Sequence, residues 1–138
     1  MLDIRRKLEE TVDTSYTQDR ELSWLRFNER VLDEATDETV PLFERMKFVE
    51  IFTSNLDEFF MVRVANILRQ YRNGASNTSP DRMTPARQLA EIRRRVLLHT
   101  ARAQSHWNKT LRAQLAERSV RIVDYDELSE KQRRFLER

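Results

Sequence analysis

The sequence has 138 residues, 39% hydrophobic and 35% charged, with 25 basic side chains against 23 acidic ones for a net charge of +2. That suffices for one soluble, helix-rich domain with a real core, and the basic excess is too slight to argue for a nucleic-acid partner by itself. One glycine and three prolines exclude a sandwich or barrel with many tight turns, zero cysteines exclude disulfides and thiolate metal sites, and no run of eighteen apolar residues is present to span a bilayer.

Residues 1–20 form a charged lead segment. Leu2, Ile4, Leu8 and Val12 are too sparse for a firm helix, and the N-terminus lacks the apolar core of a signal peptide. The segment is expected to be disordered or to dock on a partner. The first helix is expected over Leu22–Ala35, where Trp24, Leu25, Phe27, Val31 and Leu32 recur at helical spacing. Asp37 to Val40 is the turn, and Pro41 suits a helix start, where its missing N–H costs nothing. From Pro41 the apolar pattern runs to Tyr71. Leu42, Phe43, Met46, Val49, Leu56 and Phe60 share one arc, widened by Phe48, Phe52 and Phe59, so this helix should touch several neighbours. A break is expected near Thr53 to Asn55, because Ser54 and Asn55 are good N-caps and Glu58 stands three residues beyond Asn55.

Residues 72–83 form the loop, with small polar residues that predict mobility and the single Gly74. Thr84 and Pro85 restart a helix that reaches Ser119, with Leu89, Ile92, Val96, Ala103, Trp107, Leu111 and Leu115 as its stripe. Val120 to Val123 is short and β-branched, a candidate strand without a partner strand in the chain. Ser129 and Gln132 then read as a capping box opening another helix. A chain that stops inside such a helix is expected to be part of something longer. The fold class is therefore all-α: an antiparallel bundle in which 41–71 and 84–119 run side by side, 22–35 packs across them, and 120–123 is the one candidate strand. Trp24, Phe27, Met46, Phe52, Phe59 and Trp107 are expected to be largely buried.

The search for catalytic patterns is mostly negative, and no catalytic or metal-binding residue is assigned. A lone glycine excludes a phosphate-binding loop and a dinucleotide fingerprint. His99 and His106 lie roughly 10 Å apart along one helix, too far to share a metal ion, and read as structural or surface residues. Asp57 and Glu58 point about 100° apart, so they cannot flank one bond; first-turn acids favoured by the helix dipole are the plainer account. Arg93, Arg94 and Arg95 fan around a helix and make no single basic face. Asn55 leaves two accounts open. It is an N-cap or an amide satisfied within the helix pair, or it contacts a ligand, since its carboxamide both donates and accepts.

Glu21–Leu32, Pro41–Phe48 and Ile51–Ala65 closely resemble, in order, the N-terminal blocks of the long ATP-dependent polyphosphate kinase family; Thr84–Leu89 and Arg121–Ser129 fit as well. The likeness covers Glu21 to the end of the chain. It implies a helical N-terminal domain over 21–119 and the start of a second domain, involved in dimer contacts, over 120–138. Two further domains resembling phospholipase D would follow. It implies reversible transfer of the terminal phosphate of ATP to inorganic polyphosphate through a phosphohistidine far beyond residue 138, so the chain alone should be inactive. ATP enters as substrate, and the magnesium ligands and polyphosphate tunnel lie outside this chain. The asparagine matching Asn55 contacts the nucleotide base. Partners implied are ATP, polyphosphate, the other domains of the polypeptide and a second copy in a homo-oligomer, with no nucleic acid. The expected location is the cytoplasm, compatible with peripheral membrane association. The competing account is a purely structural module that packs against sister domains or a dimer mate.

Overall fold

A computed structural model of the chain describes residues 19–75 and 83–137. The expectations for most of the lead segment and for the centre of the 72–83 loop lie outside these residues. The described part is all-α. Helix α1 spans Arg20–Thr36 and α2 spans Leu42–Phe59. A π-helical turn, Phe60–Val64, carries α2 directly into α3, Ala65–Arg72. Helix α4 spans Pro85–His106; a second π turn, Trp107–Leu111, leads into α5, Arg112–Glu117. A 3-10 turn, Tyr125–Glu127, and the short α6, Glu130–Leu136, close the described chain.

The helix starts follow from their caps. Asp19 accepts hydrogen bonds from the backbone N–H groups of Glu21 and Leu22, at 2.9 and 3.0 Å, and its other oxygen takes the Gln88 amide from α4. This cap was hidden at the edge of the charged lead segment. Thr84 caps α4 through Arg87, with Pro85 in the first helical position, and Ser129 and Gln132 form the expected capping box at α6.

The core joins the three long segments. Leu22, Leu25, Leu32 and Ala35 of α1 meet Phe52, Leu56 and Phe59 of α2, Ile67 of α3, and Ile92 and Ala103 of α4. Contacts at the two ends fix the directions. Asp19 meets Gln88 at the start of α4, and Ala35 meets His106 at its end, so α1 and α4 run parallel. Residues 41–72 run antiparallel to both, since Arg45 near their start reaches Gln114 beyond the end of α4.

The expected break at Thr53 to Asn55 is absent. The helix stays regular there, and the Thr53 hydroxyl donates to the Val49 carbonyl at 2.9 Å. The irregularities fall at the two π turns instead, and core register explains both. A π turn winds in one extra residue. Beyond Phe59 this puts Val64 and Ile67 where a continuous α-helix would put residues four and seven positions on, so both face the core. Beyond Ala103 it does the same for Leu111 and Leu115, which are fully buried. Without the extra residue, the repeated four-residue steps from Ala103 to Leu115 would drift about 40° each off the core face.

Burial also departs from expectation. Phe52 and Phe59 are core residues, whereas Trp24, Met46 and Trp107 are half-buried and Phe27 is 48% exposed. Phe27 misses the core because the α1 stripe is Leu25, Asn28, Leu32 and Ala35, with the polar Asn28 on it and completely buried. The β-branched run at Val120 to Val123 is exposed and forms no strand, because no described segment pairs with it. Ser119, at φ 64° in the left-handed region, ends α5 while the Val120 N–H returns to the Leu115 carbonyl at 2.9 Å.

Candidate functional site

Asn55 sits inside α2, on the seam with α1, and is half-buried. Its Nδ2 donates to Oδ1 of Asn28 at 2.9 Å, and Asn28 Nδ2 donates to the Phe52 carbonyl at 3.1 Å. The N-cap account is thereby corrected, because the helix does not begin here and the amide is used across the interface. Asn28 was missed by sequence reasoning, although its place in the Leu25, Asn28, Leu32, Ala35 stripe was a legible signal. A buried amide needs partners, and Asn55 is the partner that Asn28 finds.

The pair belongs to a ladder along the antiparallel seam. One turn along, Trp24 stacks on Phe59 with ring centres 4.5 Å apart and planes 4° apart. A further turn on, Arg63 pairs with Glu21 at 3.0 Å and lies over the Trp24 ring at 5.8 Å. Asn55 is thus held from one side by its own Nδ2–H. Its carboxamide oxygen receives no hydrogen bond among the described residues. A fixed amide with an open acceptor and a second N–H can make one donated and one accepted bond to a ligand edge. It can bind and orient; it offers no nucleophile and no proton at neutral pH.

The other sequence candidates are placed elsewhere. Asp57 and Glu58 are exposed on α2. Arg94 and Arg95 are both taken by Glu91, at 2.7 and 2.8 Å, and these two guanidinium groups hold the Glu91 carboxyl down to about 2. The arginine run is therefore partly neutralised on its own helix. His99 is buried, 3.5 Å from Glu29, with Nδ1 unpartnered; burial lowers its pKa. His106 donates from Nε2 to the Ala35 carbonyl at 2.9 Å, and burial lowers its pKa as well. Arg45, also missed from sequence, is buried beside it and donates to the same carbonyl at 3.1 Å and to Gln114 at 3.0 Å. This cation caps the negative end of α1. Among the described residues no cluster of acidic or histidine side chains could hold a metal ion, and no helix is long and apolar enough to cross a membrane.

Comparison with known proteins bears on this geometry. A family model described as Polyphosphate kinase N-terminal domain matches residues 17–123. A polyphosphate kinase of Prochlorococcus marinus is 47% identical over 118 residues, which is 86% of this chain and 17% of that protein. One from Thermosynechococcus vestitus is 44% identical over 135 residues, 96% of this chain and 18% of its own length. One from Bacillus anthracis is 47% identical over 127 residues, 91% of this chain and 18% of its own. The chain thus spans less than a fifth of the length of these relatives. No solved structure matches it.

Proposed function

Because the chain belongs to the polyphosphate kinase N-terminal domain family, we propose that it is the nucleotide-contacting domain of a longer kinase that transfers the terminal phosphate of ATP reversibly to inorganic polyphosphate. Residues 21–119 form that domain and 120–138 begin the next. The phosphohistidine, the magnesium ligands and the polyphosphate tunnel lie in other domains, and the whole enzyme is a cytoplasmic homo-oligomer. The relatives' names support the reaction class. The observation that supports a ligand role within this chain is Asn55: an amide oriented by Asn28, with its oxygen open at the edge of the seam.

The isolated chain makes no polyphosphate. His99 is buried and His106 is tethered through its Nε2–H to the Ala35 carbonyl, and the family likeness puts the phosphoryl-accepting histidine in another domain. Incubating the chain with ATP, magnesium and a polyphosphate primer yields neither product nor phosphoprotein; turnover by the pure chain overturns this. The reaction class itself is tested on the full-length protein, where absence of polyphosphate synthesis from ATP removes the reading.

A second reading has its own observation. The Asn28–Asn55 bond ties α1 to α2, as a purely structural role requires, and Phe60, Met61 and Val62 stand exposed in the π turn that follows α2, as a packing surface for another domain. Asn55→Ala in the full-length enzyme separates the two. A raised Michaelis constant for ATP with unchanged melting supports the base contact; lowered melting with unchanged ATP dependence supports packing alone.

A further inference from the structure

Beside the Trp24–Phe59 stack, four arginines gather in one open groove. Arg20, Arg26 and Arg30 come from α1 and Arg63 from the π turn after α2, with Trp24 and Phe27 between them. Two of these cations lie over aromatic rings: Arg63 over Trp24 at 5.8 Å and Arg30 over Phe27 at 5.9 Å. This arrangement gives exposed Phe27 a task, as a shelf that holds Arg30. Glu21 is the acid shared by Arg20 and Arg63. Arg26 and Arg30 have no acidic partner among the described residues. Other arginines, Arg93 and Arg121 among them, also lack an acidic partner among the described residues; what sets this groove apart is that four guanidinium groups share the single acid Glu21. Arg26 and Arg30 also stand four residues apart, a spacing at which like charges on a helix destabilise each other. A groove that gathers uncompensated cations in this way suits an anionic ligand.

We propose that this groove is a polyphosphate-binding subsite, separate from the chemistry and continuous with the seam that carries Asn55. The proposal rests on the reading of the chain as part of a polyphosphate kinase. Three features select the ligand class. Planar guanidinium forks match phosphate oxygens in bidentate fashion. The cations span Arg20 to Arg30, about 15 Å along the helix, which fits a repeating anion better than a single ion. Single-stranded nucleic acid needs free aromatic faces for its bases; here Trp24 has Phe59 on one face and Arg63 over its ring, and Arg30 lies over Phe27.

The test titrates the chain with long-chain sodium polyphosphate, read by Trp24 fluorescence in a Trp107→Phe background. Arg26→Gln with Arg30→Gln is expected to weaken binding about tenfold or more and to flatten its salt dependence. The same charge loss elsewhere, Arg93→Gln with Arg121→Gln, is expected to leave affinity nearly unchanged. Melting curves check that both double variants fold. Equal losses in the two double variants, or none in the groove variant, overturn the subsite. Tighter binding of single-stranded RNA or polyglutamate, with the same dependence on Arg26 and Arg30, overturns the ligand class. A full-length enzyme that makes polyphosphate while the groove variant binds it unchanged retains the family reading and loses the subsite. A full-length protein that makes none loses the family reading, whatever the groove binds.

Discussion

Two polar clusters are buried between the helices, and they differ in how completely they are satisfied. At the end of α1, the Ala35 carbonyl accepts from both Arg45 and His106, and Arg45 also reaches Gln114. That cluster is closed: its groups answer one another, and its cation neutralises a helix terminus. About two turns back along α1, Asn28 is as deeply buried, yet its partner Asn55 is only half-buried and leaves an acceptor open. Burial alone therefore does not distinguish architecture from a binding site. The acceptor left open at the protein's edge is the difference on which the proposed base contact rests.

Removing the closed cluster should have the largest effect. Arg45→Ala deletes charge-assisted hydrogen bonds in a buried setting, each worth about 1.5–3 kcal/mol, so we expect about 3 kcal/mol of lost stability and a melting temperature lower by about 10 °C. Arg45→Met, which keeps the stem packing and removes the buried charge, should recover part of this. A thermal melt of Arg45→Ala that matches wild type would break the comparison at its strong end. Asn28→Ala comes next. It removes two neutral bonds and should cost about 1–2 kcal/mol, measured by urea unfolding. The double variant Asn28→Leu with Asn55→Leu replaces both partners by apolar groups of similar size and should cost less than Asn28→Ala alone. A larger loss in the double variant would mean that the seam needs its amides for stability.

Much of this contrast was legible in the sequence, and what was not has physical causes. The three long segments, the Pro41 and Thr84–Pro85 starts and the α6 capping box follow from local rules of spacing and capping. Asn55 stands out in the sequence because it is polar within an apolar stretch. Its role as an N-cap was misread because capping propensity is local, whereas the partner that claimed its amide lies 27 residues away on α1. Arg45 was unremarkable in sequence for the same reason: its acceptors come from α1 and α5. The hydrophobicity of Phe27 predicts a place in the core, but helical phase set by Leu25, Asn28 and Leu32 turns it outward. The π turns left one faint trace, the run of four-residue steps from Ala103 to Leu115, which a straight α-helix cannot keep on one face.

Acid sharpens the comparison without any mutation. Burial holds His99 and His106 below their ordinary value of 6.5. As the pH falls through that value the unfolded chain takes up protons first, so stability is full above it and declines below it. Glu91 and Asp37 are shifted down as well, from the ordinary carboxylate range, by hydrogen bonds that favour their charged forms, and their contributions are lost only at lower pH. Between pH 7 and 5 the histidines should therefore dominate. The melting temperature should fall across that interval, and His99→Gln should flatten the slope. A variant with the wild-type slope would exclude His99 as its source.

The smallest effect on stability, and the one with most to say about function, belongs to Asn55. Its single bond to Asn28 is a neutral contact at a half-exposed position, so Asn55→Ala should cost about 0.5–1.5 kcal/mol of stability. A base-edge hydrogen bond is of the same size, so its loss should raise the Michaelis constant for ATP in the full-length enzyme by no more than about tenfold. Phosphoryl chemistry should persist at saturating ATP, because Asn55 contacts nothing that reacts. Asn28→Ala discriminates further. It leaves the Asn55 side chain in place but removes the oxygen that orients it, so a ligand-binding Asn55 should transmit part of the same rise in Michaelis constant through a residue that never meets ATP. If Asn28→Ala lowers melting yet leaves ATP dependence untouched while Asn55→Ala changes it, the amide binds without needing its partner. If neither variant alters ATP dependence, the open acceptor is solvated and the two polar clusters differ in exposure alone.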